Sequence, residues 1–191
     1  MPRTVHPIEV ESYARMRRRV DTSALPPLTR AVVERIIHAS ADPAYLDDVV
    51  TDEAALQQGF SALADGATIV VDAEMVAAGI TTRASVCRVR QAVASAGRTR
   101  SAEGFRLALQ EVGPGAVWVV GNAPTALVEL LALDARPALV VGLPVGFVGA
   151  VESKQALRKS GLPAISNISE KGGSAVASAA VNALLYHEEP A

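Results

Sequence analysis

Along most of the chain, short continuously apolar runs alternate with amphipathic stretches. Thr68-Ile69-Val70-Val71, Val117-Trp118-Val119-Val120 and Ala138 to Val141 lack the in/out alternation of a half-exposed strand. Such runs read as strands buried on both faces. Ala164-Ile165-Ser166 reads as a further strand, and Tyr45 to Val50 and Val86 to Val89 as weaker ones. Helical stretches fall between them, at 52–64, 74–78, 101–112, 124–133, 151–159 and 174–186. Two helices precede this rhythm. One runs from Pro7 to Val20, and one from Leu28 to Ala39 with Val32, Val33, Ile36 and Ile37 on a single stripe. Pro26-Pro27 marks the start of the second and Ala41-Asp42-Pro43 its end. Buried strands alternating with helices predict an α/β fold, a mainly parallel sheet covered by helices on both faces. Neither a repeat nor a linker interrupts the pattern, so residues 1–191 read as one domain.

Composition narrows the function classes. Half of the residues are hydrophobic and 20% are charged, as in a globular protein rather than a disordered one. Lys plus Arg total 18 against 20 Asp plus Glu, a net charge of -2, so no basic field draws nucleic acid. Aromatic residues are only 4%, which leaves few platforms for stacking bases. Cys87 is the single cysteine, and His6, His38 and His187 are scattered, so neither an intrachain disulfide nor a zinc cluster is expected. The first residues lack the apolar core of a signal peptide, and the charge-free stretch from Pro137 to Val151 is broken by prolines and glycines. A cytoplasmic protein without a membrane segment is the expectation.

Ligands of open α/β sheets bind beyond the carboxyl ends of the strands. Three junctions there are rich in small residues: Gly121-Asn122-Ala123-Pro124-Thr125, Gly142-Leu143-Pro144-Val145-Gly146-Phe147-Val148-Gly149, and Glu170-Lys171-Gly172-Gly173-Ser174. Each puts backbone N–H groups at a helix N-terminus, which suits a ligand with several negative groups. Equally, the glycines can simply end the strands tightly. The glycine spacing is not G-x-G-x-x-G, and neither a Walker element nor a G-x-S-x-G elbow occurs.

His38 sits near the end of the second helix, where a protonated imidazole is favoured and a general acid is well tuned. Glu34, four residues earlier, could pair with it. The alternative is a histidine that only caps its own helix. Arg100, in Thr99-Arg100-Ser101, could hold a carboxylate in a forked bond or merely accompany a helix cap. The run Arg15 to Arg19 reads as a solvated helix face or the border of an acidic-ligand site. Thr81 follows Gly79-Ile80 in a turn, where its hydroxyl could touch ligand or cap. Asp72 and Glu74 stand at a strand end, a common place for catalytic carboxylates.

Taken together, Val71-Asp72-Ala73-Glu74-Met75-Val76-Ala77-Ala78-Gly79-Ile80-Thr81, Thr99-Arg100-Ser101-Ala102, Gly121-Asn122-Ala123-Pro124-Thr125-Ala126-Leu127, Gly142 to Ala150 with Glu152-Ser153-Lys154, and Gly172-Gly173-Ser174 resemble the precorrin-8X methylmutase family, in order and over nearly the whole chain. The resemblance implies an isomerase of cobalamin biosynthesis. Such an enzyme moves a methyl group from C11 to C12 of a corrin precursor, giving hydrogenobyrinic acid, or cobyrinic acid when cobalt is already present. It implies a three-layer α/β/α sandwich and a homodimer with sites near the interface. By the same resemblance Ile37-His38-Ala39 carries the catalytic histidine, and Ser12, Thr81, Arg100, Asn122, Gly172, Gly173 and Ser174 contact the corrinoid. The sequence departs from the family's pattern at Arg98, where an asparagine is usual, and over Thr82-Arg83-Ala84. An intramolecular methyl shift needs no redox cofactor, metal or covalent nucleophile, so none is expected. The rival readings are a tetrapyrrole carrier without catalysis and, more remotely, a nucleotide-linked enzyme on a flavodoxin-like sheet.

Overall fold

The computed structural model describes residues 5–95 and 97–187. Two helices lead, α1 (Pro7–Arg17) and α2 (Pro27–Ser40), followed by the short α3 (Tyr45–Asp48) and the two-residue strand β1 (Val49–Val50). Then come α4 (Glu53–Ala64), β2 (Ile69–Val71), α5 (Glu74–Gly79), β3 (Ser85–Cys87) and α6 (Arg100–Val112). β4 (Val117–Val120), α7 (Pro124–Ala132), β5 (Leu139–Gly142), α8 (Ala150–Lys159), β6 (Ala164–Asn167) and α9 (Ser174–Leu185) complete the order.

The six strands form one sheet in the order β1-β6-β5-β4-β2-β3. Every pairing is parallel except β1 with β6, where Val49 faces Asn167 and Val50 faces Ser166. The pleat sorts the apolar strand residues into two cores. Ile69, Val71, Val117, Val119, Leu139, Val141 and Ile165 face one side, where Val32, Ile36, Leu56, Leu63, Val76, Val181 and Leu184 of α2, α4, α5 and α9 cover them. Val70, Trp118, Val120 and Val140 face the other, under Phe105, Ala108, Leu127, Leu130 and Leu157 of α6, α7 and α8. The result is the expected three-layer sandwich. Small residues let its layers close. A Cβ on Gly79 would overlap the Ser178 side chain, and the gap it leaves lets Asn182 donate to Gly79 O at 2.7 Å, tying α5 to α9.

The structure corrects the expected strand at Tyr45 to Val50. Only Val49 and Val50 pair, and they do so antiparallel at the sheet edge, while Tyr45 to Asp48 is a helical turn. Asp47 and Asp48 cannot join an apolar strand, and Asp48 instead accepts from Ile168 N, Ser169 N, Ser169 Oγ and Asn167 Nδ2 at 2.7–3.0 Å. The first helix also ends earlier than its pattern suggests, at Arg17, with Val20 reached by a turn onto Met16 O.

Candidate active site

α1 lies across the C-terminal half of α2, and between them opens a cleft of about 660 Å³. His38 lines it together with Ser12, Glu11, Arg15, Arg19, Met16 and Ile37. Ser12 Oγ lies 2.9 Å from His38 Nδ1. An imidazolium, the form that acts as a general acid, donates Nδ1–H to the Ser12 hydroxyl and carries its second proton on Nε2. The His38 ring also stacks on Tyr13, with centroids 4.9 Å apart and planes 12° from parallel. Burial pushes the Tyr13 phenol up, so it stays a neutral phenol. Glu34 does not provide the pairing expected for His38. It accepts from Arg17 Nε and Nη2 at 3.0 and 2.6 Å, from Thr22 Oγ1 at 2.6 Å and from Arg30 Nε at 3.0 Å. Burial works to raise its carboxyl, but these donors bring it down to about 2. Glu34 thus ties α1, the following loop and α2 together.

The order in which the parallel strands are laid down reverses between β2 and β4, the place where open α/β sheets hold ligands. Here an internal carboxyl fills it. The Asp72 carboxylate accepts from the N–H groups of Gly121, Asn122 and Ala123 at 2.9, 2.8 and 2.7 Å. Burial pushes its carboxyl up, and the three backbone donors oppose that. This corrects two expectations. The Gly121, Asn122 and Ala123 amides are not held ready for substrate, and Asp72, placed at the strand end, is a buried carboxyl that accepts all three of them before α7. Glu74 pairs with Arg90 at 3.1 Å.

The other two junctions are laced to each other. Gly173 N donates to Leu143 O at 2.9 Å and Gly146 N to Glu170 O at 3.1 Å. Gly172 has φ +154, and a Cβ there would overlap Leu143 O, so only glycine permits this approach. Ser174 Oγ donates to Asn122 Oδ1, joining the third junction to the first. From α8, the buried Lys154 ammonium donates to Asn167 Oδ1 at 2.9 Å, to Lys171 O at 2.8 Å and to Ser169 O. Burial lowers its pKa to about 8, which keeps it charged at neutral pH. Past these ties, Phe147 is 96% exposed and Val148 89%, an apolar tip on the same edge. Asp42, just after α2, pairs with Lys171 at 2.6 Å, which sets the His38 end of α2 beside this edge.

Arg100 is exposed at the first turn of α6, capped by Thr99, which accepts from Ala102 N at 3.3 Å and meets Thr125 Oγ1 of α7 at 2.7 Å. Thr81 stands apart from both groups, its hydroxyl bonded to Tyr186 Oη past the end of α9. Within one chain the predicted residues therefore fall into separate sets: Ser12 with His38; Asn122 with Gly172, Gly173 and Ser174; Arg100 near α7; and Thr81 at Tyr186. Among the described residues, no group of three or more His, Cys, Asp or Glu could hold a metal ion, and Cys87 is a buried free thiol. No helix described is long and apolar enough to cross a membrane.

The model of the family described as precorrin-8X methylmutase matches residues 7–187. The chain belongs to that family. A protein of Salmonella typhimurium named cobalt-precorrin-8 methylmutase is 41% identical over 88% of this chain and 86% of its own. One of Pseudomonas aeruginosa named precorrin-8X methylmutase is 40% identical over 94% of each. Among solved structures, a precorrin-8X methylmutase from Thermus thermophilus superposes with a TM-score of 0.82 at 35% identity, covering 94% of this chain and 96% of that one.

The methylmutase motifs that carry the resemblance are thus partly scaffold. Arg98, which departs from the pattern, pairs with Glu103 and Glu129, both at 3.4 Å. Arg83, in the other departure, donates to Leu63 O at 2.7 Å and so caps α4. Neither departure touches the cleft around His38. Tyr13 escaped notice as a site residue, whereas Arg15 and Arg19, read from the sequence as a solvated face or the border of an acidic-ligand site, line the cleft. Helical spacing already places Ser12, Arg15 and Arg19 on one face of the chain, which was the available signal.

Proposed function

We propose that this protein catalyses the methyl migration of precorrin-8X, or of its cobalt-containing counterpart, as an isomerase of cobalamin biosynthesis. The cleft around His38 carries this reading: one imidazole, with Nδ1 held by Ser12 at 2.9 Å, faces a space rimmed by Arg15 and Arg19. Membership in a family whose relatives bear both names supports it. His38 Nε2 gives a proton, or a strong hydrogen bond, to a ring nitrogen beside the migrating centre. The macrocycle becomes electron-poor, the C11–methyl bond breaks as the C12–methyl bond forms, and the proton returns to the imidazole. No atom is gained or lost. Acid assistance of this kind supplies about 10²–10⁴ in rate, and binding in one reactive geometry adds to it. The substrate's carboxylates suit Arg15, Arg19 and Arg100.

A homodimer accounts for the scattered remainder. Thr81, Arg100, Asn122, Gly172, Gly173 and Ser174 are assigned to corrinoid contact, and a second copy would bring some of them to the His38 cleft. Residues 1–191 act as one domain, in the cytoplasm, where a lone buried thiol stays reduced. The test is to mix catalytic amounts of protein with precorrin-8X and follow the visible spectrum. Progressive conversion to the hydrogenobyrinic acid spectrum is expected, with the cobalt substrate run in parallel. An immediate stoichiometric shift that then stays constant with both substrates would instead mark a carrier. His38→Ala should bind product but turn over at least about tenfold more slowly; wild-type turnover would remove the acid role.

A further inference from the structure

His38 is held from two sides by consecutive residues of α1. Ser12 fixes Nδ1, and Tyr13 covers the ring face in a near-parallel stack at 4.9 Å and 12°. Tyr13 is itself anchored. Arg17 lies 5.6 Å above its ring centroid, and the Arg35 guanidinium lies near enough to favour its ionised form. Arg35 is in turn held by Glu9 at 2.6 Å, both side chains being largely buried, and rests 5.1 Å from the Tyr186 ring. Tyr186 Oη meets Thr81 Oγ1. An unbroken line of side chains thus runs from the imidazole through Tyr13, Arg35 and Tyr186 to Thr81.

A histidine side chain has two torsions, and a single bond to Nδ1 still lets the ring plane swing about that contact. A parallel aromatic face removes the swing, because tilting the imidazole drives it into the phenol or opens a gap between the rings. Arg17 over the ring keeps the phenol from following. Proton donation depends on direction, so a fixed plane fixes the line along which the ring can donate.

We propose that Tyr13 is a positioning residue for the reaction, which clamps the His38 imidazole plane through its stack. This rests on His38 acting as the acid. Tyr13 does not touch substrate. It acts through His38, and Phe preserves the stack while Leu or Met does not.

The test compares Tyr13→Leu, Tyr13→Met and Tyr13→Phe with His38→Ala, using steady-state kinetics on precorrin-8X and ¹⁵N NMR of the histidine ring nitrogens. Folding of each is checked by the fluorescence of Trp118. With the stack lost, kcat falls at least about tenfold while KM stays within about twofold, since the loss is in orientation rather than binding. The His38 ring-nitrogen signals shift or broaden relative to wild type as the ring plane is released. Tyr13→Phe restores both readouts toward wild type. If Tyr13→Leu fails to fold, Tyr13→Met, unbranched and flexible, gives the same comparison. Unaltered His38 ring signals and kcat in either aliphatic variant, with His38→Ala inactive, overturn the clamp and leave the acid standing. Wild-type turnover in His38→Ala overturns the acid instead, and the NMR comparison still decides whether Tyr13 holds the ring.

Discussion

Replacing Glu34 by Gln tests how α1 is held over α2. The Glu34 side chain is only 4% exposed and accepts four hydrogen bonds from Arg17, Thr22 and Arg30. Burial opposes its charge, yet these donors hold its carboxyl at about 2, against an ordinary 4.5. The folded state therefore releases this proton more readily than the unfolded chain. Between those two values the unfolded chain binds more protons, so stability is lost as the pH falls through the window. The difference corresponds to about 3 kcal/mol, which solvent around the half-exposed Arg17 and Arg30 reduces to about 2 kcal/mol. Urea unfolding, read by the fluorescence of Trp118, the single tryptophan and fully buried, measures it directly. At pH 7, Glu34→Gln should be less stable than wild type by about 2 kcal/mol, because Gln presents an N–H₂ to a site built of donors. As the pH drops from about 5 to about 2, the gap between the two proteins should close, since protonation removes the same interaction from the wild type. A gap that stays constant across that range would refute the reasoning, for it would mean that Glu34's charge contributes nothing.

Asp72→Asn sets an amide N–H₂ against three backbone N–H donors and should cost about 2–4 kcal/mol, measured by the same unfolding experiment; a loss below about 0.5 kcal/mol would mean the Gly121–Ala123 amides find another partner. Arg19→Ala and Arg100→Ala should each raise KM for the corrinoid by about three- to tenfold with kcat nearly unchanged, as expected for carboxylate contacts made equally in ground and transition states. An unchanged KM would remove that arginine from the binding surface.

The layering of this protein was legible in its sequence. Val117 to Val120 and Leu139 to Val141 are apolar at every position, and a strand with no polar face must be covered on both sides, as both are. Helix periodicity likewise marked α2, and the motif around Ile37-His38-Ala39 marked its histidine. Tyr45 to Val50 misled because an apolar dipeptide beside two aspartates has no clear period, and its state was decided by what Asp48 could grip just past β6. Local pattern says which residues are buried. It does not say which distant groups share a space, because that depends on strand order. Asp72 meets amides 49 to 51 residues away only because β2 and β4 are neighbours, and so the amides that looked ready for a ligand are already taken by a carboxyl of the protein itself. Ser12, Tyr13 and His38 meet across about 26 residues only because α1 folds back on α2 through Glu34. The residue types for the chemistry were written in the chain; their distances and partners came from packing.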